Sequence, residues 1–420
     1  MATVTFRNVR VFPGHGSALL PASDVTVDGT TISSIADHDP AAAPGDGGAS
    51  IDGRGRTLMP GLIDAHWHAA FTSISPLVAL LADPYYIILV AGQQATATLM
   101  RGFTTVRDCG GPTFGLKKAI DEGVLPGPRI YPAGAMITQT SGHGDFRFPN
   151  DLPRDPCCGL AHIEKVGAAA IADGADNVLR VCREQLMLGA SHLKLMAGGG
   201  VSSPADPLDV TQYTERELRS GVEAAENWGT YVMVHAYTPR SIQQALRAGV
   251  RSIEHGHLVD QETVEMIAEA GAWWCLQPFL DDEDAAPVPP GSEGKFREMV
   301  TGTENAYRLA RENDVKVAWG TDVLFSGDLA AKQGKLLAKM TRWYSPAEAL
   351  SLATSVNAEL LQLSGPRNPY PGVLGRVEEG AIADLLLVDG DPLADIGLLA
   401  DPAANLKVIM KGGTVVKDES

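Results

Sequence analysis

Hydrophobic and polar positions change rhythm twice along this chain. Over the first 57 residues they alternate in short runs, at 3–12 and again at 24–35, the second run broken by Asp28-Gly29. Alternation with period two turns one side of an extended segment towards a core, and Asp-Gly favours a tight hairpin turn, so antiparallel strands are predicted. The Ala/Gly/Pro-rich stretch 41–48 reads as a surface loop. From Leu58 onward, apolar runs alternate with helical stretches of about ten to fifteen residues, the rhythm of βα units around a parallel sheet. The predicted strands are 61–66, 104–108, 129–133, 192–196, 231–236, 252–255, 273–277 and 316–320, and eight is the number that closes a (β/α)8 barrel. Thr214-Glu215-Arg216-Glu217 is a capping box opening a helix that runs to Trp228. Ser345-Pro346-Ala347-Glu348 is another, with Pro at the first helical position. After Gly365 the strand rhythm returns at 380–388 and 408–416. The predicted class is therefore α/β, a TIM barrel over 58–365 with a small β-sandwich domain built from both termini, 1–57 and 366–420. Stretches 139–161 and 281–302 lack regular texture and read as long βα loops over the site.

Composition narrows the classes of function. Of 420 residues, 45% are hydrophobic and 20% charged, the balance of a soluble globular enzyme. A spanning helix needs roughly 18 consecutive apolar residues; Leu77 to Val90 comes nearest and is interrupted by Asp83-Pro84. The start alternates like a strand, so no signal peptide is expected. A net charge of −17 repels phosphate backbones and anionic membranes, which argues against nucleic acid or membrane partners. The five cysteines (Cys109, Cys157, Cys158, Cys182, Cys275) are odd in number and lack C-x-x-C spacing. They form neither a disulfide framework nor a thiolate metal site, and a reduced, cytoplasmic setting is expected.

The candidate chemistry lies at strand ends. In Ile63-Asp64-Ala65-His66-Trp67-His68, period-two alternation sends His66 and His68 to one side and Trp67 to the other. Two neutral imidazoles converging on one point are a natural start for a Zn²⁺ or similar divalent site. Four of the ten histidines occupy predicted strand ends: His66, His68, His235 and His255, with Lys194 in the fourth strand and Asp322 after the eighth. Random scattering would seldom do this, and barrel enzymes place their functional groups there. Plainer readings exist for each: a core imidazole for His235 or His255, a helix cap for Asp322, a solvated edge strand for Lys194. A charged lysine flanked by Leu193, Leu195 and Met196 is otherwise costly to bury.

These residues resemble the binuclear metal site of the amidohydrolase superfamily in order and approximate spacing. The resemblance extends over nearly the whole chain, from Met59-Pro60-Gly61-Leu62-Ile63-Asp64-Ala65-His66 to Glu379-Gly380-Ala381-Ile382-Ala383-Asp384-Leu385. Lys194 to Val201, His235-Ala236-Tyr237 and Ala248 to Gly256 are similar to the imidazolonepropionase-related branch of metal-dependent prolidases, carboxypeptidase-like dipeptidases and ochratoxin-hydrolysing amidohydrolases. The resemblance implies two divalent ions, usually zinc. His66, His68 and Asp322 would hold one and His235 and His255 the other, with Lys194 bridging them as a carbamate formed from CO2. It also implies a homo-oligomer. His192 stands where the family leads one to expect an acidic residue.

The expected function is hydrolysis of the amide bond of a dipeptide-like or N-acyl amino acid. Two cations sharing a water would lower its pKa towards neutrality, and the hydroxide would attack the carbonyl. Asp322 would move the proton to the leaving amine, and His143, in Ser141-Gly142-His143-Gly144-Asp145, would add a donor to the carbonyl oxygen. Tyr237, two residues past His235 and on the same side, would bind a substrate carboxylate. The alternative within this chemistry is a hydrolase of cyclic amides or of xenobiotic ureas, carbamates or aryl amides. A non-enzymatic binding protein would be expected to have lost a ligand, and none is lost. Gly198-Gly199-Gly200 lacks the ending of a phosphate loop and reads as backbone passing close to the metals. His257 is either a neighbour of the site or solvated, and His162 reads as structural.

Overall fold

The alternating segments at the two ends of the chain come together as one sheet. The computed structural model describes residues 3–41, 48–152, 159–203 and 206–420; Cys157, Cys158 and residues 42–47 of the expected surface loop lie outside them. The sheet runs in the order Thr414–Asp418, Leu406–Lys411, Leu385–Val388, Thr57–Pro60, Val4–Val11, Leu20–Asp28 and Thr31–Asp37, with Ala49–Asp52 beside Val4–Val11. It curls until its ends approach: Thr31 bridges Ile382, and Gly413 N–H donates to the Ala383 carbonyl at 3.0 Å. The curl encloses one apolar core that includes Phe6, Val25, Ile32, Leu58, Leu387 and Met410. Thr57–Pro60 is a strand of this sheet, antiparallel to Leu385–Val388, so the chain passes straight from the sheet to the barrel at Gly61.

All eight predicted barrel strands form: Leu62–Trp67, Phe103–Asp108, Arg129–Pro132, Leu193–Met196, Val232–Ala236, Ser252–His255, Trp273–Leu276 and Val317–Trp319. Neighbours pair in parallel. The third resumes after a break as Met136–Thr138, which pairs with Leu195 and with a further short strand, Ala169–Ile171. Proline 132 supplies no N–H to continue the ladder, and Ser191 N–H instead reaches the Pro132 carbonyl at 2.8 Å. The seam between the eighth and first strands is closed by a side chain. Asn357 Nδ2 donates to the Ile63 and Trp319 carbonyls, both at 2.8 Å, and its Oδ1 accepts from Trp319 N–H at 3.1 Å. Asn357 follows a π-helical turn, Leu352–Val356, and such turns commonly mark functional positions.

Both capping boxes form, on helices Glu215–Trp228 and Pro346–Ser351. The reading of 281–302 as one irregular loop needs correction: helix Glu293–Glu312 takes its second half. Gly302 disguised that helix, since glycine in a helix interior is unfavourable. Here it is required, because a Cβ at Gly302 would lie 2.1 Å from the His257 carbonyl oxygen. Among the described residues no helix is long and apolar enough to cross a membrane.

Candidate metal and substrate site

The strand ends bring His66, His68, His235, His255, Lys194 and Asp322 together, all buried except half-buried Asp322. Ring centroids of His66 lie 5.5 Å from His68 and 4.8 Å from His255, and His235 lies 4.5 Å from His255. Ligand atoms of His66, His255 and Asp322 all fall within 4.8 Å of one another. Asp322 and His255 adopt left-handed backbone, with φ of 52° and 72°. That conformation costs an L-residue about 1–2 kcal/mol, and strain of this kind gathers at functional sites.

Each imidazole has one nitrogen committed to an acceptor of the protein. His66 Nδ1 lies 2.7 Å from Glu254 Oε2, and His68 Nδ1 3.0 Å from the Gly110 carbonyl. His235 Nε2 lies 3.1 Å from the Gly199 carbonyl, and His255 Nδ1 2.8 Å from Gln277 Oε1. Carbonyls and carboxylates only accept, so these nitrogens carry the protons. The other nitrogens, His66 Nε2, His68 Nε2, His255 Nε2 and His235 Nδ1, are left with lone pairs. Burial first, then neighbouring positive groups including Lys194, hold His66, His235 and His255 well below the usual imidazole range, so they stay neutral. Two lone pairs face a carboxylate: Asp322 Oδ1 stands 3.3 Å from His66 Nε2, which makes no hydrogen bond, and 3.4 Å from His68 Nε2. Burial raises the pKa of Asp322, yet nearby positive charge, that of Lys194 included, brings it below the ordinary carboxylate value. Lone pairs aimed at an anion repel unless a cation stands among them, so the donor set fits divalent metal, with its outer hydrogen bonds already built.

Beneath the imidazoles lies a charged layer that sequence reasoning missed. Glu254 is fully buried and receives both Arg107 Nη2 contacts, at 2.9 and 2.8 Å, and Ser252 Oγ at 2.6 Å. Arg107 also donates to the Ala65 carbonyl at 2.6 Å, tying the second strand to the first. Removing one member of such a pair strands a buried charge, at about 3–5 kcal/mol. The argument applied to Lys194 would not have found them, because their strands, Phe103–Asp108 and Ser252–His255, are largely polar in sequence. Asp64 acts similarly at the barrel seam, accepting from Thr321 N–H and Oγ1 and from Gln333 Nε2 just before Asp322.

The mouth is made from loops. The His143 ring stacks on His235 with centroids 4.2 Å apart, and its Nδ1 lies 3.4 Å from Asp206 Oδ2. A Cβ at Gly200 would sit 2.1–2.5 Å from three atoms of the His143 ring, so the glycine run makes room for this imidazole. Tyr237 stacks on His255 at 5.1 Å and stands edge-on to His235 at 5.1 Å. Burial, then the Asp322 carboxylate, push its phenol well up, so it remains a donor. His257 is buried and bonded through Nε2 to the Gln277 carbonyl at 3.0 Å, which removes the solvated reading. His162 is exposed; His192 is buried against Ser191 and Tyr231.

Residues 57–416 match the family model described as amidohydrolase family. Ochratoxinase from Aspergillus niger is 31% identical over 380 residues, covering 86% of this chain and 75% of that protein. A prolidase structure complexed with N-methylphosphonate-L-proline is 36% identical with a TM-score of 0.89, covering 99% of this chain and all of the other. A Xaa-Pro dipeptidase with methionine in its active site is 28% identical with a TM-score of 0.85, at 99% and 100% coverage. The chain belongs to the amidohydrolase family and is a hydrolase acting on amide bonds.

Proposed function

We propose that the protein hydrolyses the amide bond of dipeptide-like or N-acyl amino acid substrates that carry a free carboxylate, with two divalent ions held by His66, His68, Lys194, His235, His255 and Asp322. Zinc suits this nitrogen and oxygen donor set. The observation that carries the reading is the pair of imidazole lone pairs aimed at Asp322 Oδ1 at 3.3 and 3.4 Å. Lys194, 1% exposed among three neutral imidazoles, fits as a carbamate, which replaces a repelling positive charge with an attracting negative one. Bound ions would supply Lewis acidity at the carbonyl and an acidified water.

The side chains account for the remaining steps. Asp322 takes the proton of the attacking water and returns it to the leaving nitrogen. His143, held beside His235, donates to the carbonyl oxygen as charge develops there. Tyr237 donates to the substrate carboxylate, a charge-assisted contact of about 1.5–3 kcal/mol that orients the scissile bond. The prolidase relative holds a ligand with a proline carboxylate, which supports a carboxylate handle. The division into a barrel and an end domain is part of the same reading, with the boundary moved from 58 to Gly61 because Thr57–Pro60 pairs in the end sheet, as is self-association, for which exposed Leu77, Leu81, Tyr85 and Leu89 offer apolar surface. A cytoplasmic setting fits the buried free thiols of Cys109, Cys182 and Cys275.

The test compares N-acyl amino acids with their C-terminal amides on the parent and on Tyr237→Phe. The variant should lose roughly ten- to a hundredfold in kcat/KM on the acids and little on the amides, a double-mutant cycle that isolates one contact. If both enzymes cleave the amide as fast as the acid, there is no carboxylate handle, and cyclic amides, ureas or carbamates become the better substrate class.

A further inference from the structure

Lys295 projects from the first turn of helix Glu293–Glu312, beyond the seventh barrel strand. A cation is out of place there, because the helix dipole already puts positive charge at that end. Its Nζ donates to three backbone carbonyls of another loop: Gly200 at 3.2 Å, Ser203 at 2.7 Å and Asp206 at 2.5 Å. An ammonium has three protons, and all three are used. The three carbonyls belong to the segment after Lys194, which forms the mouth of the site. Carbonyls facing one another repel, so without the ammonium this segment has reason to spread.

Two contacts carry the effect inward. Gly200 lies flat against the His143 ring, leaving no room for a Cβ between them, and that ring is pressed on His235. Gly199 O accepts from His235 Nε2 at 3.1 Å. Asp206, whose carbonyl Lys295 grips, also aims its carboxylate at His143 Nδ1 and accepts from Gly200 N–H at 2.8 Å. We propose that Lys295 is a positioning residue, an ammonium clip that fastens the loop after the fourth strand to the helix after the seventh and thereby holds His143 against His235. This deepens the functional reading and rests on its assignment of His143 to the substrate. Among the described residues the hydrogen bonds of Lys295 Nζ all go to backbone oxygens.

The test replaces Lys295 with Met, which keeps the apolar stem, and with Ala, which leaves space for an added amine. Amide hydrogen exchange of the metal-loaded protein should quicken at residues 198–203 in both variants, with the thermal midpoint nearly unchanged. kcat/KM should fall roughly tenfold, mostly in kcat, because misplaced groups lose stabilisation made only in the transition state. Millimolar n-butylammonium should restore part of the rate to Lys295→Ala and none to Lys295→Met. In a His143→Gln background the cost of Lys295→Met should shrink, since the two act along one path. Unchanged exchange at 198–203, or faster exchange with parental kcat/KM, overturns the proposal. Parental turnover by His143→Gln alone would instead sink the substrate role of His143, and the exchange measurement would still decide the clip.

Discussion

The floor and the mouth of the site are held by different means. At the floor His66, His235 and His255 sit on barrel strands, and His68 directly follows one. Each has one nitrogen tied to a fixed acceptor, and Glu254 and Arg107 lie locked beneath. At the mouth, His143 sits on a loop, its Nδ1 has no hydrogen bond, and its place depends on a glycine, a carboxylate 3.4 Å away and a lysine from across the barrel. The difference teaches where precision is stored. Groups that would hold ions are fixed by strands and tolerate little change, whereas groups that would meet substrate are fixed by loop-to-loop contacts that can be altered without unfolding the barrel.

Changes to the floor should therefore remove function outright, and changes to the mouth should grade it. The largest effect is expected from Lys194→Ala. If the lysine bridges two ions, the variant should lose metal and activity together while keeping its circular dichroism, with partial rescue of both by short carboxylic acids. Full activity at two metals per chain would show that no bridge is needed. Asp322→Asn comes next: kcat should drop by about 10² or more, the usual scale for a proton-transferring group. Most of the metal should remain, and steady-state kinetics with metal analysis separates the two. An effect confined to KM would place Asp322 outside the chemistry. The smallest effect is expected from Gly200→Ala at the mouth. The methyl should displace the His143 ring and cost one hydrogen bond to the carbonyl oxygen, about 1.5 kcal/mol or roughly tenfold in kcat/KM. Metal content should stay at the parental value; a loss there would mean that floor and mouth are not independent.

The same contrast governs what could be read in the sequence. Strand periodicity and the barrel rule brought out the floor, because an imidazole at a strand end is both a local pattern and a fixed position in space. Glu254 and Arg107 were not legible in that way, because their strands are largely polar in sequence and they lack the metal-ligand spacing that drew attention to their neighbours. Asp206 and Lys295 carry no local signal. Their positions follow from how two loops dock, and docking has no period. Gly302 misled for a related reason, since its value lies in a carbonyl on another segment. The broken third strand was hidden because Ala133-Gly134 interrupts a run too short to show alternation.

The strand Thr57–Pro60 lies between one strand from the start of the chain and another from near its finish. The cluster below it likewise joins His66 to Asp322. During synthesis both must wait. The early strand is made long before Leu385–Val388 exists to cover its open edge, and His66 emerges well before the carboxylate it faces. Sequence-distant pairings of this kind form slowly and leave apolar edges open meanwhile. A ribosome-bound or truncated chain lacking the last strands would thus hold every residue from His66 to Asp322 and still expose the edge of Thr57–Pro60 that Leu385–Val388 covers.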